Sequence, residues 1–122
     1  MMFRLLVLIA AMAIPVVPKE KDTTEIAATI RHEGRVLSAP SVHVLVGAEA
    51  GIRQGIEIDG RVEELDVSIL VERDARRPGR YTGVFVYRFA GEETSIVERW
   101  RRDTRVEHQV GPVAVALELS AP

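Results

Sequence analysis

The chain of 122 residues contains no cysteine. This excludes a disulfide framework, lipid attachment through a cysteine after a leader, and any zinc site that relies on thiolates. Aromatic residues make up only 5% of the sequence, with one tryptophan, too few rings to stack the bases of a single-stranded nucleic acid. The longest apolar run, Leu5 to Val17, is interrupted by Pro15 and falls short of the roughly twenty residues that a membrane-spanning helix needs. Charge of one sign does not dominate either: 16 Lys and Arg face 18 Asp and Glu, which gives no general attraction to nucleic acid or to an anionic membrane. There is no internal repeat and no low-complexity tract.

What is present begins with a leader. Met1-Met2-Phe3-Arg4 supplies one positive charge, Leu5 to Ala10 is unbroken apolar chain, and Ala11-Met12-Ala13 has the small-x-small pattern of a cleavage site. Residues 1–13 therefore read as a secretory signal peptide, and the expected location is periplasmic or secreted. Pro15, Pro18 and the charged stretch Lys19-Glu20-Lys21-Asp22 make residues 14–22 an exposed lead-in. Residues 23–122 suffice for one compact domain and not for two.

Within that domain the dominant pattern is alternation with period two, which predicts strands. Thr24, Ile26, Ala28 and Ile30 share one face before a turn at Glu33-Gly34. The same stretch carries helix signals, with capping-box spacing between Asp22 and Glu25, so strand is the primary reading and helix the alternative. Arg35 to Ser38 is a short extended piece ending before Pro40, which cannot donate to a ladder and marks a strand end or an edge. Val42, Val44 and Val46 then alternate with His43 and Leu45, and Gly47-Ala48-Glu49 is expected to turn the chain into a hairpin with the segment around Ile52. Asp59-Gly60 is the strongest hairpin signal, because a type I′ turn needs positive φ at both central positions. Leu65, Val67, Ile69 and Val71 form one face of the returning strand, broken only by Leu70. Tyr81 to Phe89 is apolar on both faces and belongs in the middle of a sheet. Thr94 to Arg102 follows, with Ile96 and Trp100 on one face, and Val113, Val115, Leu117 and Leu119 point inward in the last segment. Seven or eight such strands predict an all-β fold, a single antiparallel β-sandwich or partial barrel.

The residues that could carry chemistry are sparse. His32, His43 and His108 form no HxH pair, so no metal site is expected. Ser38, Ser41, Ser68 and Ser95 lack the sharp elbow of a serine nucleophile. Glu63-Glu64 and Glu92-Glu93 are adjacent on strands and point to opposite faces, which prevents either pair from flanking a bond. The expectation is no catalytic residue, no metal and no cofactor. An alternative is a small periplasmic enzyme or enzyme inhibitor whose site is assembled from distant residues, of which His43, Glu49 and His108 come first.

Charge is uneven along the chain. Glu49 to Glu72 holds seven acids against Arg53 and Arg61, whereas Arg73 to Arg105 holds nine arginines against five acids. Solvated strand faces account for this pattern, and so does head-to-tail self-association or an anionic partner. Alternation places Arg99 and Arg101 on one face, and Val42 and Val44 on an expected strand edge. These four are the candidate partner-binding residues.

Val36-Leu37-Ser38-Ala39-Pro40-Ser41-Val42-His43-Val44-Leu45, continued by Gly47-Ala48-Glu49-Ala50-Gly51-Ile52-Arg53-Gln54-Gly55, resembles a segment in the β domain of the bacterial secretins of type II and type III secretion. The matching positions are Val36, Ser38, Pro40, Ser41, Val42, Leu45, Glu49, Ala50, Ile52 and Gly55. The resemblance implies a shared hairpin region in a small exported protein. Channel function does not carry over, because a complete secretin protomer is far longer and has periplasmic repeats that this chain lacks. The functional expectation is a non-enzymatic exported β protein that works through protein or envelope contacts, by a protein partner or self-association. No nucleic acid and no stable membrane span are expected, and peripheral contact with the envelope is compatible with this reading. A structural subunit that polymerises through its strand edges is a further possibility.

Overall fold

Alternation of apolar and polar residues produces nine strands in a computed structural model that describes residues 22–121. The signal peptide expected over 1–13 and nearly all of the lead-in lie outside the described residues. The strands are β1 (Thr23–His32), β2 (Arg35–Ser38), β3 (Ser41–Leu45), β4 (Glu49–Ile58), β5 (Arg61–Arg73), β6 (Tyr81–Phe89), β7 (Glu92–Trp100), β8 (Thr104–Val110) and β9 (Val113–Leu119). The all-β expectation holds, and the segment around Ile26 is strand rather than helix.

Two antiparallel sheets face each other. One is a meander of consecutive strands in the order β4-β5-β6-β7. The other has the order β2-β1-β9-β8, with β3 also paired to β1. The meander closes locally. Asp59 and Gly60 have φ of 53° and 78°, as a type I′ turn requires, and the ladder they start runs from Ile58↔Arg61 to Glu49↔Leu70. Ala90 and Gly91 repeat that geometry between β6 and β7, with φ of 54° and 82°. The other sheet closes at long range, through pairs such as Val115↔Ile30 that join the two ends of the domain.

The core lies between the sheets. Ile26, Ile30, Val44, Val115, Leu117 and Leu119 meet Leu65, Ile69, Val71 and Phe85, all essentially inaccessible to solvent. Burial of each such side chain contributes about 1.5–3 kcal/mol, and in a chain without disulfides this burial holds the sandwich. Gly83 faces this core. A Cβ there would lie 2.9 Å from the Phe85 ring and 3.0 Å from the Trp100 indole, so glycine makes room for the tryptophan.

Three details differ from the sequence-based expectation. First, there are nine strands because Thr104–Val110, not singled out in the sequence, forms β8 along β9; β2 and β3 are two pieces of one edge along β1, interrupted at Ala39-Pro40, where the Pro40 carbonyl accepts a hydrogen bond from the Ala28 N–H at 2.8 Å. Second, Val42–Val46 does not form a hairpin with the segment around Ile52. β3 pairs with β1, and β4 lies in the meander. At the crossing, the Val46 N–H donates to the Asp22 carbonyl and the Gly47 N–H to the Val71 carbonyl. A full-length ladder with β5 satisfies the β4 backbone better than the five-residue β3 could. Third, β7 ends at Trp100, and Arg101-Arg102 form a bend, so the alternation expected to align Arg101 with Arg99 stops one residue short. No helix among the described residues is long and apolar enough to cross a membrane.

Candidate functional site

Two polar clusters occupy the side of the sandwich where β7 crosses to β8. The first lies between the sheets. Ile96, Glu98 and Trp100 share the inner face of β7, and Val106, His108 and Val110 share that of β8, so each strand carries one ionisable residue toward the core. There His108 Nδ1 lies 2.6 Å from the Tyr87 hydroxyl, and His108 Nε2 lies 2.7 Å from a Glu98 carboxylate oxygen. The His108 ring also stands edge-on to Phe85 and Tyr87.

The proton positions follow from the network. Burial, and secondly the negative charge of Glu98, raise the Tyr87 pKa well above its ordinary value. The phenol therefore keeps its proton; a carboxylate only accepts, so Nε2–H donates to Glu98, and in the neutral imidazole Nδ1 is then the acceptor for the Tyr87 hydroxyl. Every polar atom of the three side chains facing the interior is thus used. Tyr87 is fully buried and His108 is 4% exposed; only Glu98, with 27% of its side chain accessible, reaches water. A Tyr-His-Glu relay has the composition of a catalytic set, but here the phenol and the imidazole are both buried between the sheets. The trio acts as a polar strut joining the sheets, and three further hydrogen bonds accompany it. The Trp100 indole N–H and the Thr24 hydroxyl both donate to the Ser120 carbonyl, at 3.0 and 2.7 Å, and the Ser38 hydroxyl donates to Gln54 Oε1.

The second cluster is on the outer face of the meander. The loop between β5 and β6 is pinned by its own backbone: the Asp74 N–H donates to the Arg80 carbonyl at 2.8 Å and the Arg80 N–H to the Arg77 carbonyl at 3.2 Å. Asp74 Oδ1 accepts from the Arg76 N–H at 2.9 Å. From this fixed loop Arg76, Arg77 and Arg80 line one side of an open cleft of about 550 Å³. Arg99, opposite Thr82 in the β6–β7 register, lines it from the strand side. None of these four guanidinium groups makes an ion pair among the described residues. Arg73, next to them, differs: it bonds to Asp22 at 2.8 Å, and that bond raises its pKa further.

Of the four residues singled out from the sequence, only Arg99 lines this cleft. Arg101 is exposed in the bend beyond β7. Val44 is fully buried and Val42 half-buried against the core, because the period of two that groups them also turns both toward the opposite sheet. The Val44 side chain therefore offers no contact surface, and that of Val42 only part of one. β3 is nevertheless an edge, with no second strand beside it among the described residues. His43, Glu49 and His108 are not brought together: His43 is exposed and opposite Glu25, Glu49 starts β4 opposite Leu70, and His108 is buried between the sheets. Arg76, Arg77 and Arg80, read as part of a polar loop, turn out to supply most of the cleft. The density of arginine after Arg73 was the signal for them. Glu98 and His108 were signalled by falling on otherwise apolar faces.

No group of three or more His, Cys, Asp or Glu among the described residues is placed to hold a metal ion. Comparison of the chain with protein-family models, with curated proteins and with solved structures finds no match.

Proposed function

We propose that this chain is a small exported, non-enzymatic β-sandwich that works by binding a partner in the periplasm or bacterial envelope, and that its contact surface is the arginine cleft. The observation that carries this reading is the state of the four guanidiniums at Arg76, Arg77, Arg80 and Arg99, which line one cleft with no carboxylate engaged among the described residues. Like charges gathered in this way repel one another, and an anionic partner relieves that repulsion while supplying orientation and a fast encounter. The non-enzymatic part of the reading is supported by the burial of Tyr87 and His108 between the sheets. Export is supported by the pattern of residues 1–13, and kinship with the secretin β region by the ten matching positions between Val36 and Gly55 alone, since these residues divide between two sheets and do not form the hairpin the resemblance implies.

The test is photocrosslinking in intact cells with a photoreactive residue at Arg101, beside the cleft, and at Glu57, at the far end of the meander. The expected result is a stoichiometric adduct from position 101 only, formed by protein that has lost its leader, and abolished by Arg80→Glu. A secretin subunit in that adduct would identify the partner. An adduct-free monomer at both positions, or unprocessed protein in the cytosol, overturns the proposal.

A further inference from the structure

We infer that the arginine cleft is a site for two adjacent phosphoryl groups, a diphosphate in free form or at the headgroup of a lipid. The inference rests on the binding reading above and adds the chemistry of the ligand. Four guanidiniums and the Asp74 carboxylate line the cleft, so its formal charge is three positive units. One phosphoryl group carries about −1.5 to −2 near neutral pH, so two together match that charge, whereas a carboxylate carries only one unit.

The cations are all arginine, and the chain has no lysine between Asp22 and Ala121. A guanidinium presents a rigid fork of N–H donors that meets phosphoryl oxygens two at a time. Thr82 adds a hydroxyl to the lining. The loop bonds from Asp74, Arg77 and Arg80 hold the backbone in place before any ligand arrives, which lowers the ordering cost of binding. One oxygen of Asp74 is occupied by the Arg76 N–H and does not confront the ligand unpartnered.

The surroundings limit the size of the ligand. Beyond Thr82 the outer face of the meander becomes apolar, with Val84 aligned between Leu70 and Val97. Farther along it carries Arg88 already bonded to Glu93 at 2.9 Å, and Asp66 beside Arg53. Positive charge therefore does not continue as a track, and Trp100 and Tyr81 are buried, so a nucleic-acid strand finds neither a phosphate path nor rings for stacking. The neighbouring apolar row suits acyl chains beside a phosphorylated headgroup.

Titration calorimetry of the full chain with inorganic diphosphate, orthophosphate and sulfate at low salt tests the site, alongside flotation with phosphatidylcholine vesicles with and without a diphosphoryl lipid. Diphosphate, or the diphosphoryl vesicles, is expected to bind at least about tenfold more tightly than orthophosphate or plain vesicles. Arg80→Gln and Arg99→Gln should each weaken that binding by about tenfold, the loss of one charge-assisted pair. Arg53→Gln, away from the cleft, should leave it unchanged, and Arg80→Lys should restore only part. Binding of the free anion assigns the soluble source, and binding of the vesicles alone assigns the lipid. Equal affinity for sulfate and diphosphate, or full binding by the Arg80→Gln/Arg99→Gln double variant, overturns the inference. If both probes fail while the crosslink at position 101 persists, the phosphoryl assignment falls and the binding reading stands.

Discussion

Glu98 and Arg99 are neighbours on β7, and the pleat sends them to opposite faces of one sheet. Glu98 points between the sheets and is engaged by His108, which is in turn engaged by Tyr87. Arg99 points outward into a cleft with three other arginines and no carboxylate bonded to it. The difference comes from the solvent on each side. In the interior an unpartnered polar group loses its water and gains nothing in return, so such groups persist there as completed networks. On the surface water serves as the partner until something better arrives, so charge can be left available. Satisfied polar atoms in this protein therefore mark structure, and unsatisfied exposed charge marks the place to look for function.

The interior half of that contrast breaks most severely at His108. His108→Ala should lower stability by about 3 kcal/mol in urea denaturation, since it opens a cavity and strands both the Tyr87 hydroxyl and the Glu98 carboxylate. Tyr87→Phe, which leaves only Nδ1 without its donor, should cost about 1–2 kcal/mol. The same residue sets an alkaline limit. Because the folded-state pKa of Tyr87 lies above the ordinary 10.0, its contribution is fully present below about pH 10 and is lost as pH rises further, when the unfolded chain ionises first. Wild-type stability should fall above that pH, and Tyr87→Phe should flatten the fall.

Tyr81 sharpens the comparison by exception. Its hydroxyl is buried with no hydrogen-bond partner among the described residues, while its ring packs edge-on to Trp100 and lies 5.5 Å from the Arg73 guanidinium carbon. Tyr81→Phe should keep the packing, remove the stranded oxygen, and leave stability unchanged or raised by up to about 1 kcal/mol. The smallest effect belongs to the outer face. Arg80→Gln should move stability by less than about 0.5 kcal/mol, and a loss well beyond that would mean that the cleft arginines brace the loop.

The fold was legible because it rests on short-range signals. Asp59-Gly60 announced its hairpin through backbone preference, and the period of two through Leu65 to Val71 and through Val113 to Leu119 announced which side chains face inward. The hairpin expected from Val42–Val46 was not formed, because the same alternation fits any partner strand and the sequence carries no label for which sheet a strand joins. Arg101 was misplaced for a related reason: alternation says nothing about where a strand stops. The candidate site was half legible. A surplus of arginine after Arg73 could be counted, but its convergence with Arg99 depends on the β6–β7 register and on the loop bonds of Asp74.

Composition, alternation and turn chemistry by themselves determined that this chain makes antiparallel strands, that burial without disulfides holds them, and that positive charge gathers in its second half. Those are properties of single residues and near neighbours. Only the tertiary structure decided that Tyr87, Glu98 and His108 close one network and that four arginines share one cleft. Contact between residues distant along the chain depends on sheet order and register, which are set by the packing of all nine strands together.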